Sequence, residues 1–172
     1  MNRWGAVAVI AVVIALRTDA VPTKVTVRAM SRDAKVMGTK VGGARITIRD
    51  AKNGRVLAEG KQLGGTGDTK TIMVAPHARG GLVYGAGDAG SFVATIDLEN
   101  PTWVEVVAEG ALGFPQSTAR ASKTLLLVPG EDIEGEGILL ELHGFNVDIV
   151  RPAESTAKAG EPITVRAKLT MT

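Results

Sequence analysis

With 172 residues, no cysteine and 3% aromatic residues, the chain has room for one substantial domain that must be built on Val, Ile, Leu and Ala. The missing cysteines remove disulfides, cysteine metal knuckles and thiol nucleophiles at once. A formal net charge of +2, with Lys and Arg scattered along the chain, supplies neither the basic stripe of a nucleic-acid groove nor an acidic tail.

Residues 1–20 follow the pattern of an export signal. Arg3 is the positive start, Gly5 to Leu16 is an uninterrupted apolar run, and Thr18 and Ala20 are small residues flanking Asp19 just before Pro22. The run is shorter than the roughly 20 residues a membrane-spanning helix needs. The expectation is an exported protein, periplasmic or at the cell surface, with no membrane span after cleavage. An uncleaved anchor or a buried amino-terminal element is the alternative reading. Residues 21–172 are then the folded domain.

From Val21 the chain reads as β. Val25, Val27 and Ala29 alternate with Thr26 and Arg28, the period of a strand with one face buried. Val41 to Gly60 is a strand, a turn and a second strand: Ile46 and Ile48 alternate with Arg45, Thr47 and Arg49, Asn53-Gly54 suits the positive φ angles of a tight hairpin, and Val56 to Ala58 lead back. A Gly-rich turn from Gly64 to Thr69 precedes a short predicted strand at Thr71 to Val74. Phe92, Ala94, Ile96 and Leu98 mark one face of the next strand, and Val104, Val106 and Ala108 that of another. Gly110 to Ala121 is loop-like. Lys123 to Val128 is a near-continuous apolar run, predicted to be a strand buried on both faces. An acidic link, Glu131 to Gly137, precedes the alternation of Ile138, Leu140 and Leu142. Phe145, Val147 and Ile149 begin a further strand, and Ile163, Val165, Ala167 and Leu169 another. About nine or ten short strands with turn residues between them, and no amphipathic helical pattern, predict an all-β antiparallel β-sandwich.

The hairpin GGARITIRDAKNGRVLAEG resembles the opening of transthyretin-like, carboxypeptidase-regulatory-like modules, over roughly residues 24–110. It departs from them where Gly64 to Gly90 replaces a short Gly-aromatic step. VDIVRPAESTAKAGEPITVRAKLT, residues 147–170, is similar to the opening of a bacterial Ig-like domain. These last strands are expected to complete the sandwich, since an isolated two-stranded ribbon is marginally stable at best; the other reading is that residues 147–172 open a second domain. Both resemblances imply scaffolds of binding and assembly, with no catalytic residues to carry over.

Catalytic and cofactor patterns are sparse. No serine lies in a G-x-S-x-G elbow, and Gly64 to Thr69 lacks the Gly-Lys-Ser/Thr ending of a phosphate loop. Glu131, Asp132, Glu134 and Glu136 lack the spacing of a calcium loop, so a solvated acidic turn is preferred to calcium binding. Trp103, Tyr84 and the three phenylalanines fall mostly at inward or sheet positions, which disfavours carbohydrate platforms. The stretch Ala75 to Gly90 is long, irregular and rich in glycine, and such loops are often functional. His77, Arg79 and Tyr84 within it, with Asp68 and Asp88 in Gly-rich turns, are the candidate binding residues.

The expected function is therefore a non-catalytic binding or assembly module of a bacterial envelope or surface structure, without a cofactor or nucleic-acid ligand, acting on a protein partner or on itself. The alternative is periplasmic handling of copper or zinc, with His77 and His143 converging on a methionine.

Overall fold

β1, Val21–Ser31, is the middle strand of a three-stranded sheet, and its core-facing Val25, Val27 and Ala29 are fully buried. The computed structural model describes residues 19–85, 87–150, 156 and 158–171. Apart from Asp19 and Ala20, the export-signal segment lies outside the described residues. Among the described residues no helix is long and apolar enough to cross a membrane.

The other strands are β2 (Ala44–Asp50), β3 (Val56–Gln62), β4 (Phe92–Leu98), β5 (Thr102–Gly110), β6 (Ala119–Leu127), β7 (Ile133–Leu142), β8 (Phe145–Val150) and β9 (Arg166–Met171). One sheet has the order β4-β1-β7, the second β3-β2-β5-β6, and β8 pairs with β9 alone. The first two sheets face one another, with β3 beside β4 at one lateral edge and β6 beside β7 at the other. Ile46, Ile48, Val104 and Val106 from the four-stranded sheet meet Val25, Val27, Ile96 and Leu140 from the three-stranded one in a single aliphatic core. The predicted all-β sandwich is the fold, with nine strands among the described residues, seven of them in the two facing sheets. Its pairings are antiparallel except that β7 runs parallel to β1.

Local chemistry sets the β2–β3 hairpin, although not as a two-residue turn. Asp50 accepts hydrogen bonds from the Lys52 amide and the Asn53 side chain, and Asn53 accepts one from the Arg55 amide. Only Gly54 takes a positive φ, 75°, where glycine is unhindered. The turn therefore holds more residues than Asn53-Gly54, and the register slips by one between Ile48 and Arg49.

Three expectations are corrected. Thr71 to Val74 is not a strand: Thr69–Met73 forms a short helix, α1, because the Asp68 carboxylate accepts from the Thr71 amide at 2.7 Å and caps it. Lys123 to Val128 is not buried on both faces; it belongs to the edge strand β6, where Leu127 is buried while Leu126 is exposed. Trp103 and Phe145 lie at sheet positions, in β5 and β8, with each residue 58% exposed. The last strands do not complete the sandwich. They form their own ribbon, anchored where the Val147 amide donates to Ser117 Oγ at 3.1 Å and that hydroxyl donates to the Val147 carbonyl at 3.2 Å.

Gln62 is the largest of the fully buried polar side chains among the described residues. Beyond Val27, β1 has no β4 partner, since β4 begins at Phe92. Gln62, at the end of β3, fills the gap. Its Oε1 accepts from the Ala29 amide at 2.6 Å, and its Nε2 donates to the carbonyls of Ala29 at 2.8 Å and Met37 at 2.9 Å. A buried backbone group left without a partner costs about 1–3 kcal/mol. Gln62→Leu keeps the volume and removes all three bonds, so it should lower the free energy of unfolding by about 3 kcal/mol or more, read from urea denaturation. A loss below about 0.5 kcal/mol would show that the bonds contribute nothing net.

Candidate functional site

Between β3 and β4 the chain leaves the sandwich and returns through a closed root. Leu63 bridges Ser91 and Gly65 bridges Ala89, with the Gly65 amide donating to the Asp88 carbonyl at 2.8 Å and the Gly90 amide donating back to Gly65 at 2.9 Å. At the root Gly64 takes a φ of 128°, and a Cβ there would come within 2.8 Å of the Gly90 backbone, so this position requires glycine. α1 packs next, burying Ile72, and Lys35 from the β1–β2 link donates to Thr69 Oγ1 at 2.9 Å.

The far end of the excursion is fastened by a residue that sequence reasoning left in a solvated acidic turn. Opposite Thr26, β7 bulges: it takes five residue steps from Ile133 to Ile138 where β1 takes two from Val25 to Val27. The bulge carries Glu136 toward the loop. Its carboxylate accepts from three successive amides, those of Val83, Tyr84 (2.9 Å) and Gly85 (3.0 Å). Consecutive amides aimed at one point form an anion-binding concavity, and here the protein's own carboxylate occupies it.

Arg28 supports the bulge from below. Read from alternation as an outward polar residue, it is buried, as is Thr26, because the bulge covers this face of β1. Its Nη1 donates to the carbonyls of Gly135 at 2.6 Å and Glu136 at 2.8 Å. Burial lowers its pKa, against the opposing influence of the Glu136 charge. Two more of the acidic residues are engaged by β1: Asp132 accepts from the Lys24 amide at 2.7 Å, and Glu134 pairs with the Lys24 ammonium at 2.7 Å. The alternation rule hid Arg28 and the acidic composition hid Glu136. The Gly-Glu-Gly sequence at 135–137, which interrupts an otherwise regular strand, was the available signal for a bulge.

The candidate residues thus divide by role. Asp68 caps α1, and the Asp88 backbone belongs to the root while its side chain is exposed. Tyr84 is half-buried at the fastened end. His77 and Arg79 lie on the exposed tip, where His77 Nε2 sits 3.1 Å from the Ile72 carbonyl. Around them Met73, Val74 and Leu82 are exposed apolar side chains. His143 is exposed in the link between β7 and β8. Among the described residues no three His, Asp or Glu side chains are grouped to hold a metal ion. The arrangement gives a rigid root and a fastened far end, with a mixed apolar and cationic tip between them.

The chain matches no family model, no curated protein and no solved structure.

Two measurements check the construction. Glu136→Ala should speed hydrogen exchange at the amides of Val83, Tyr84 and Gly85 by tenfold or more, leaving Ile46 and Val106 unaffected; equal protection in both proteins would show that the carboxylate does not hold the loop. The Asp68 carboxyl pKa is lowered first by the Thr71 hydroxyl and then by the Thr71 amide. Its stabilising contribution is therefore present above the ordinary carboxylate pKa and is lost as pH falls through the depressed folded value. In a carbon-detected titration, Thr71→Val should move the Asp68 midpoint upward, and an unmoved midpoint would remove the hydroxyl as the main cause.

Proposed function

We propose that the chain is an exported, non-catalytic β-sandwich module of a bacterial envelope or surface structure, and that it binds a protein partner through the exposed tip at residues 73–82. The observation that carries this reading is the contrast within one loop. Its root is closed by backbone bridges and its far end is tied to Glu136, while nearly all side chains of residues 73–82 face solvent.

A recognition loop held in place before binding loses less conformational entropy on association. The tip also has the composition of an interface centre. Arg79 is the cationic anchor, and Val74, 72% exposed, and Leu82, 54% exposed, are apolar surface that a partner would cover. The export part of the reading rests on the short apolar run and the small residues that follow it.

A photo-crosslinking residue placed at position 78 should capture the partner in cells that make the protein. With the captured partner purified, Arg79→Ala should weaken binding by about tenfold, and Val74→Asp by more. If His77→Ala, Arg79→Ala and Tyr84→Ala all bind as the unaltered protein does, the loop is not the recognition surface.

A further inference from the structure

We propose that the protein met by the tip at residues 73–82 presents an acidic surface, with carboxylates around an apolar recess, and that charge draws the two together. The proposal rests on the reading of that tip as a recognition surface and adds the chemistry of what it recognises.

The charge of the excursion is one-sided. Residues 69–87 contain Lys70, His77 and Arg79 and neither Asp nor Glu. Lys70 and Arg79 are exposed, and neither pairs with a carboxylate among the described residues. Two nearby carboxylates are turned to groups of the loop itself. Asp68 accepts from the amide and hydroxyl of Thr71, and Glu136 from the amides of Val83, Tyr84 and Gly85. Asp88 is exposed, but at the root, where its carbonyl accepts from the Gly65 amide. The outer face of the four-stranded sheet is built differently: there Arg45, Arg49 and Arg120 are met by Glu105 and Glu109. That face satisfies its own charges, and the tip does not.

The cations border apolar surface. Lys70 lies one helical turn before Met73 and Val74, and residues three and four apart share a helical face. Arg79 comes between Val74 and Leu82 along the chain, and Met73, Val74 and Leu82 are all exposed. An apolar centre with a polar rim is the plan of a protein interface. Its complement is a recess that takes Val74 and Leu82, with Asp or Glu where Lys70 and Arg79 arrive. Arg79 can hold a carboxylate through two parallel hydrogen bonds, which adds orientation to the attraction.

An anionic lipid surface also combines negative charge with an apolar interior, and the tip fits it less well. Residues 69–82 contain no Trp, Tyr or Phe to sit at a headgroup boundary, and only two permanent positive charges. A loop held at its root and at its far end suits a partner of fixed shape.

The test uses the full chain and the protein captured by the crosslinker at position 78, purified, with association and dissociation followed separately by surface plasmon resonance. A circular-dichroism melt verifies that each variant is folded. The crosslinked segment, read by mass spectrometry, should contain Asp or Glu. Raising sodium chloride from about 50 to about 500 mM should slow association by about tenfold, as exposed charges that steer an encounter are screened. Arg79→Glu should slow association more than Arg79→Gln does, and changing the acidic residue of the crosslinked segment to lysine should restore the rate for Arg79→Glu. Binding that Val74→Asp weakens but that salt and Arg79→Glu leave unchanged would overturn the acidic partner and keep the tip as the recognition surface. Binding that none of these changes alters, or no captured protein at all, would overturn both readings. Attachment of the chain to vesicles of phosphatidylcholine with about one-third phosphatidylglycerol, lost in Arg79→Glu, would overturn the proposal in favour of a lipid surface.

Discussion

The backbone of Ala29 is the constraint on which much of the architecture depends. β1 is the centre of its sheet, yet its β4 neighbour is present only as far as Val27. An amide and a carbonyl inside an aliphatic core need partners, since water is excluded there. The Met37 amide reaches the Ala29 carbonyl from the β1–β2 link at 3.0 Å, and the Gln62 carboxamide supplies both an acceptor and a donor from the opposite sheet. The two sheets are therefore joined by directional bonds as well as by apolar contact. Because Gln62 ends β3, the same tie fixes where the chain leaves the sandwich, and the bridge from Leu63 to Ser91 follows directly. The root of the excursion is thus set by the core.

A second layer of order lies on the outer side of the three-stranded sheet. A parallel neighbour for β1 would ordinarily give a regular ladder, but β7 bulges opposite Thr26 and returns to register at Ile138. The bulge covers Thr26 and Arg28, turns two carbonyls toward the Arg28 guanidinium and sends Glu136 outward to the loop amides. Charge inside this layer is handled by hydrogen bonding. The guanidinium is met by carbonyl oxygens and the carboxylate by amides, so neither depends on a direct ion pair. On the outer face of the four-stranded sheet the chemistry is different. Arg49 donates twice to Glu105, at 2.6 and 2.9 Å, which lowers the Glu105 pKa. That pair is solvent-screened and serves the surface more than the fold.

Much of the sandwich was legible in the sequence. Ile46 and Ile48, Ile96 and Leu98, and Val104, Val106 and Ala108 are buried as their period-2 spacing requires. The misreadings have specific causes. At Thr71 to Val74 the apolar residues fitted a strand, but the Asp68 cap made a helical turn locally cheaper. At Lys123 to Val128 a continuous apolar run implied two covered faces, whereas a strand at the edge of a sandwich has one. Arg28 occupied a polar alternation position that a distant bulge later covers. Gln62 was harder: Ala58 and Gly60 precede it on the inward face, and a polar residue at the third such position pointed to a buried bonding role. Of the candidate site, the irregular loop was visible as a loop. Its fastening by Glu136 was not, because that contact joins residues more than fifty positions apart.

The two ends of the chain's β content show the limit of pattern reading most directly. β2 and β8 have the same grammar, three or more apolar residues at alternate positions between polar ones. In β2 the apolar face meets another sheet of the same chain, and Ile46 and Ile48 lose all contact with water. In β8, Phe145, Val147 and Ile149 are ordered on one face by the same rule and stay in contact with it. Alternation records that a face is built to be covered; it does not record by what. That information lies in topology, in which strands the turns bring together, and here the link through Gly144 carries β8 away from the sheet that β7 belongs to. A ribbon so placed pairs its two strands with each other, takes an anchor from Ser117 and leaves its apolar side chains exposed. The same separation that prevents β8 and β9 from closing the sandwich is what leaves their apolar face exposed.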